Sequence, residues 1–176
     1  MKILVVEDDF GSRKVMQKYL SLYGDCDIAV DGEEALEAFN LAWEEGKPYN
    51  LIFLDIMMPK LDGFSFVEKV RAKDSDTPII FLTARSMKED RIKGFQIGCD
   101  DYITKPFNHD ELIARVDALL RRNELSLDAN PLIKLPGNIS IERELIKRLA
   151  DNTKFAVGYA DLDSFKAYND KYGFLK

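Results

Sequence analysis

The chain has 176 residues, 46% hydrophobic and 32% charged, and its 25 Lys and Arg stand against 31 Asp and Glu for a net charge of −6. That balance excludes a disordered chain and leaves room for one ordinary domain with a remainder. An acidic total argues against a nucleic-acid partner; the one basic pair that stands out, Arg121-Arg122, suits the negative end of a helix instead.

In chain order, ILVV (Ile3 to Val6) is a continuous apolar, β-branched run and predicts a buried strand. Val15, Met16, Tyr19, Leu20 and Tyr23 then recur at helical spacing, and Gly24 closes the segment. DIAV predicts a second strand, followed by a helix that opens near Asp31-Gly32 and carries Ala35, Leu36, Phe39 and Trp43 on one face. LIFL (Leu51 to Leu54) and IIFL (Ile79 to Leu82) are the third and fourth strands, with helical stretches over roughly 64–73 and 88–97 behind them. Tyr102-Ile103 is a short fifth strand. Lys105-Pro106 leads on to a helix whose face is Leu112, Ile113, Val116, Leu119 and Leu120.

Five β-α units in succession predict a doubly wound, five-stranded parallel sheet covered on both faces, an α/β fold. This first domain spans 1–122, followed by a linker or irregular turn over 123–137. Residues 138–176 offer one amphipathic helix (Ile141, Leu145, Ile146, Leu149) and one strand, FAVGYA (Phe155 to Ala160), an incomplete α+β segment. No apolar run approaches the ~20 residues of a membrane span, and MKILVVEDD is no secretory signal. The expectation is a cytoplasmic protein with no membrane partner. Cys26 and Cys99 lack metal-like spacing and are expected as free thiols.

The chemistry gathers at strand ends. In an open parallel sheet all C-terminal ends share one rim, where ligands bind. Glu7 and Asp8, Asp55, Thr83 and Lys105 each follow a predicted strand, so they are expected to converge. Clustered carboxylates repel unless a hard cation lies among them, and such oxygen ligands suit Mg2+. With a lysine and a hydroxyl opposite, the set is built for phosphoryl transfer, one aspartate serving as nucleophile.

ILVVEDD, Arg13, LIFLDIMMPKLDG, PIIFLTA and GCDDYITKPF together resemble the receiver domain of two-component response regulators, over nearly all of the first domain. The resemblance implies a flavodoxin-like receiver fold and phosphorylation of Asp55 by a sensor histidine kinase or phosphotransfer protein. It implies Mg2+ on Glu7, Asp8, Asp55 and the backbone carbonyl of Met57, with Lys105 on the phosphoryl group and Lys105-Pro106 cis. Thr83 and Tyr102 would move inward as the switch, and Ala84 leaves phosphoryl access. The only catalysis expected is this self-phosphorylation and dephosphorylation. Arg91, Asp100, Asp101, Glu111 and Arg115, around Ile92, Phe95 and Ala114, resemble the face through which many receivers form phosphorylation-favoured homodimers.

The end of the chain points to a different output. NPLIKLPGN, a helix and FAVGYADLDSFKAYNDKYGF resemble the beginning of a GGDEF, or diguanylate cyclase, domain. The resemblance implies Asp161 and the Leu162 carbonyl on Mg2+ and Asn169 on guanine. Leu132-Ile133-Lys134-Leu135-Pro136-Gly137 departs from the family's opening pattern, and the GGDEF hairpin does not occur before Lys176. Cyclase activity is therefore not expected of this chain. The alternative reading is the regulatory half of a diguanylate cyclase, and a third is an interaction module indifferent to phosphate.

Overall fold

A computed structural model describes residues 1–128, 137–151, 154–158 and 171, with side chains omitted at 124–128. The chain divides into two units, Met1–Leu127 and Asp128–Lys176. In the first, β1 (Lys2–Val6), β2 (Asp25–Ala29), β3 (Leu51–Leu54), β4 (Ile79–Thr83) and β5 (Asp101–Thr104) alternate with five helices: α1 (Phe10–Leu20), α2 (Gly32–Glu44), α3 (Gly63–Arg71), α4 (Lys88–Gln96) and α5 (His109–Asp128). The strands form one parallel sheet in the order β2-β1-β3-β4-β5. The chain winds outward from β1 in both directions, so the order reverses between β1 and β3.

Alternation along each strand divides the core into two layers. Ile3, Val5, Leu51, Phe53, Ile80, Leu82 and Ile103 face Met16 and Leu20 of α1 and Leu112, Val116 and Leu119 of α5. Leu4, Val6, Ile52, Leu54, Ile79, Phe81 and Tyr102 face Ala35 and Phe39 of α2 and Phe64, Phe66, Val67 and Val70 of α3. Both faces are dry, which explains why the strands read as unbroken apolar runs.

Three boundaries differ from the sequence reading. β2 begins at Asp25, two residues before DIAV, because Asp25 and Cys26 pair with Lys2 and Ile3 although one of them is polar. α5 continues to Asp128, through the start of the expected linker, in a stretch (Glu124-Leu125-Ser126-Leu127) that includes good helix formers. In the second unit α6 (Asn138–Ala150) forms as expected, and no residue of it is buried. FAVGYA does not read as a strand among the described residues: 154–158 have no regular secondary structure. A strand needs a neighbour to bond its N–H and C=O groups, and none pairs with this run there. Asp161, Leu162 and Asn169 lie outside the described residues.

Candidate functional site

The sheet ladder itself assembles the rim. Asp55 N donates to the Val6 carbonyl at 3.0 Å, which brings the residue after β3 beside Glu7, the residue after β1. Lys105 N donates to the Thr83 carbonyl at 2.8 Å and so sets the end of β5 against the end of β4. Glu7, Asp8 and Asp55 each offer an oxygen, and these lie within 4.8 Å of one another. Lys105 Nζ donates to Glu7 Oε2 at 2.6 Å and to Asp55 Oδ2 at 2.7 Å. Four of the five residues read from strand ends therefore meet in one pocket, and Thr83 is fully buried at its edge.

Glu7 and Asp55 are buried while Asp8 is exposed, so the cluster opens to solvent on one side. Burial raises the Glu7 pKa above its ordinary value, and Lys105 offsets only part of that rise. Burial also favours loss of the Lys105 proton, but its hydrogen bonds to Asp55 and Glu7 outweigh that and hold its pKa above the usual lysine value. Glu7 Oε1 is buried without a hydrogen-bond partner. Three carboxylates against one ammonium, with an unpartnered buried oxygen, fit a hard divalent cation.

Loops hold this arrangement in place. Asp9 caps α1 by accepting from Ser12 N at 2.7 Å. Arg13 reaches back from α1 to the carbonyls of Glu7 (2.6 Å) and Asp8 (3.1 Å), fixing the turn that presents both acids. Asp55 Oδ1 accepts from Met57 N at 3.0 Å. Lys60, at φ 63°, bonds Asp31 Oδ2 at 2.6 Å and ties the β3–α3 loop to the start of α2. Gly63 passes so close to β3 that a Cβ there would lie 2.5 Å from the Asp55 carbonyl oxygen. Of these supports, Arg13 was visible as a motif residue. Lys60 and Gly63 also fall within the LIFLDIMMPKLDG motif, but the Lys60–Asp31 tie and the Gly63 approach depend on the loop path, which the motif does not show.

Thr83 and Tyr102, the residues expected to act as the switch, belong to β4 and β5. Thr83 Oγ1 accepts from Arg85 N at 3.3 Å. Tyr102 is 3% exposed, its ring set edge-on to Phe81 and its hydroxyl donating to the Arg85 carbonyl at 2.9 Å. Burial, with Asp90 nearby, pushes its pKa up to about 12. Ala84 is exposed, and Lys105-Pro106 is cis.

On the expected pairing face, Ile92 and Phe95 of α4 are half-exposed and Arg91 and Ala114 are exposed. Arg115 binds Asp101 at 2.9 Å and Glu111 at 2.8 Å within the protomer. Asp100 belongs to a different cluster: it accepts from Arg71 at 3.0 Å and from Ile79 N at 2.8 Å.

A doubly wound sheet in this order, with an acidic triad and a lysine at its carboxyl rim, defines the receiver class of signalling domain. The response regulator receiver domain family matches residues 3–117, and the chain belongs to that family. It is 45% identical over 123 residues to the transcriptional regulatory protein RprY of Bacteroides fragilis, covering 69% of this chain and 50% of that protein. It is 48% identical over 124 residues to a probable transcriptional regulator ycf27 of Cyanophora paradoxa, covering 70% of this chain and 49% of that one. The chain spans about half the length of these curated relatives. Among solved structures, the receiver domain of the Francisella response regulator 1452 matches with a TM-score of 0.61 at 40% identity, over 69% of this chain and 97% of that one. The receiver domain of DrrB in its BeF3-activated form matches at 0.61 and 34%, over the same shares.

Proposed function

We propose that the chain is a phosphorylation-dependent switch that accepts a phosphoryl group on Asp55 from a phosphohistidine donor and passes a conformational signal onward. The observation that carries this reading is Lys105 Nζ bridging Glu7 and Asp55 at the mouth of the acidic cluster. Glu7, Asp8, Asp55 and the Met57 carbonyl would hold Mg2+, which when bound neutralises charge on the phosphoryl oxygens. An Asp55 carboxylate oxygen bonds to phosphorus as the phosphorus–nitrogen bond of the donor breaks, and the electron pair leaves with the imidazole. Lys105 already lies on Asp55 and carries its charge onto the new phosphoryl group. The Thr83 hydroxyl turns to donate to a phosphoryl oxygen, and Tyr102 secures the segment at Arg85. A groove lined by Ser12, Val15, Lys105, Pro106 and Phe107 opens beside the pocket, and it suits the helix-borne histidine of a donor kinase.

The test is intact-mass spectrometry after incubation with acetyl phosphate and Mg2+. Wild type gains one phosphoryl group; Asp55→Asn gains none, and EDTA prevents the gain. A gain that survives Asp55→Asn sinks the reading.

The finer reading of residues 138–176 as the start of a GGDEF-like segment is supported by DLDSFKAYNDKYG alone, while the family match ends at Asp117. Binding of GTP with Mg2+, lost in Asp161→Asn, would support it; no binding would remove it. The relatives are named as transcriptional regulators, and an output on DNA would be carried by the part of those proteins that this chain does not span.

A further inference from the structure

The two ends of α4 are held unequally. Its first turn has no side-chain cap, since the capping position is Met87, and the Arg91 amide reaches the Met87 carbonyl at 3.3 Å. Two ties reach this end from elsewhere: the Tyr102 hydroxyl on the Arg85 carbonyl at 2.9 Å, and Arg85 on Asp90 at 3.1 Å. The second is a partly exposed ion pair and contributes little.

The other end is closed and clamped. Gly98, at φ 100°, takes the left-handed turn that ends the helix. Its amide donates to the Phe95 carbonyl at 3.2 Å, and the Cys99 amide to the Gly94 carbonyl at 3.0 Å. The Gly98 carbonyl accepts from Arg71 Nε at 2.9 Å, and Arg71 Nη2 donates to Asp100 Oδ2 at 3.0 Å. A Cβ at Gly98 would come within 3.1 Å of Arg71 Nε, so the glycine admits the guanidinium. Arg71 also donates to the carbonyls of Asp74 at 3.1 Å and Thr77 at 2.8 Å, with its side chain only 15% exposed.

This clamp is itself fastened to the sheet. Thr77 Oγ1 donates to the Tyr49 carbonyl at 2.9 Å, and Ile52 N of β3 to the Pro78 carbonyl at 2.9 Å. Asp100 Oδ2 accepts from Ile79 N, at the start of β4, at 2.8 Å. Gly94, the one buried residue of α4, lies in the same half of the helix. A Cβ there would stand 3.3 Å from Cys99 Sγ and from the rings of Phe81 and Tyr102, so this half is pressed against the core. Hydrogen bonds from a largely desolvated guanidinium are the strong ones, so under load the Met87 end yields first.

We propose that Gly98, clamped by Arg71, is the fixed pivot of α4: the helix swings about it, its Met87 end moving most and its last turn least. The trigger of the swing rests on the phosphorylation of Asp55 set out above; the pivot itself does not. Arg71 is then a positioning residue for the signal, and the state-dependent part of the surface is the first half of α4.

Amide hydrogen exchange of the full chain, read residue by residue by NMR, tests the pivot. Without phosphoryl donor, Tyr102→Phe loses the tie to Arg85 and should speed exchange several-fold at 91–93 while leaving 97–99 unchanged. Arg71→Lys keeps the charge but loses the planar fork, and should speed exchange several-fold all along 91–99. With acetyl phosphate and Mg2+, wild type should respond at 91–93 and stay constant at 97–99. In Arg71→Lys that response should spread to 97–99, which an arginine serving stability alone would not cause. Intact mass is read on the same samples: if none gains a phosphoryl group, the phosphorylation reading fails and the contrast between the two variants without donor decides the pivot. Should circular dichroism show Arg71→Lys unfolded, Asp100→Asn replaces it, keeping an oxygen for the Ile79 amide and losing the charge beside Arg71. A wild-type response as large at 97–99 as at 91–93, or variants that loosen the same amides, overturns the pivot.

Discussion

Lys105 answers two buried carboxylates at once, at 2.6 Å from Glu7 and 2.7 Å from Asp55. Without it the two acids and Asp8 would face one another with no counter-charge from the protein. Removing one member of a buried charge group costs at most about 3–5 kcal/mol, mainly because the partners stay desolvated. The mouth of this pocket is wet on the Asp8 side, so the loss belongs at the low end of that range. Lys105→Met is therefore expected to lower the urea midpoint in EDTA. A cation that binds only the folded state restores stability by mass action. Mg2+ should consequently raise the midpoint of Lys105→Met more than that of wild type. Equal gains in the two proteins would mean that Lys105 is not the counter-charge of the cluster.

At the scale of elements, the β3–α3 junction sets Asp55 in position. Asp62 caps α3 by accepting from Phe64 N at 2.9 Å and Ser65 N at 3.1 Å. Burial would raise its pKa, but the hydrogen bonds from Ser65 and Phe64 outweigh this, and the folded value lies below the ordinary 3.8. A depressed carboxyl contributes stability that is fully present above its unfolded value and is lost as pH falls through its folded one. Asp62→Ala should therefore cost about 1 kcal/mol at neutral pH, with a cost that shrinks as acid protonates the cap below pH 3.8. Gly63→Ala should cost more, about 1–3 kcal/mol, because its Cβ would meet backbone at 2.5 Å and the loop must shift. It should also slow phosphorylation by acetyl phosphate, which the cap variant leaves nearly unchanged. Urea titration and mass gain over time check both; a Gly63→Ala protein no worse than Asp62→Ala would show that the close approach does not constrain Asp55. The Asp-Gly pair is plain in the sequence, yet that glycine's reason lies across the loop, in an atom of Asp55 no pattern could name.

For the whole molecule, what could be read in advance followed from burial on two sides. β1, β3 and β4 are apolar at nearly every position because helices cover both faces, so their runs and the rim residues behind them were legible. β2 lies at an edge with its polar positions partly in solvent, so its start carries no continuous apolar signal. The expected pairing face was named by resemblance, and the fold adds that Ile92 and Phe95, three residues apart on α4, are left half-exposed. Tyr102 links this region to the pocket: its hydroxyl holds the Arg85 carbonyl, in the segment between Thr83 and α4. A phosphoryl group drawing in Thr83 would bias that segment, and with it the surface that α4 presents. Acetyl phosphate with Mg2+ is therefore expected to raise the mass of wild type toward a dimer in sedimentation equilibrium. Arg115→Ala should weaken that dimer only a few-fold, since an exposed ion pair is worth about 0–1 kcal/mol. Phe95→Glu should abolish it, because a charge would be buried in the apolar centre without a partner. Dimers that form equally well in both variants, with Asp55 still phosphorylated, would place the interface on another face.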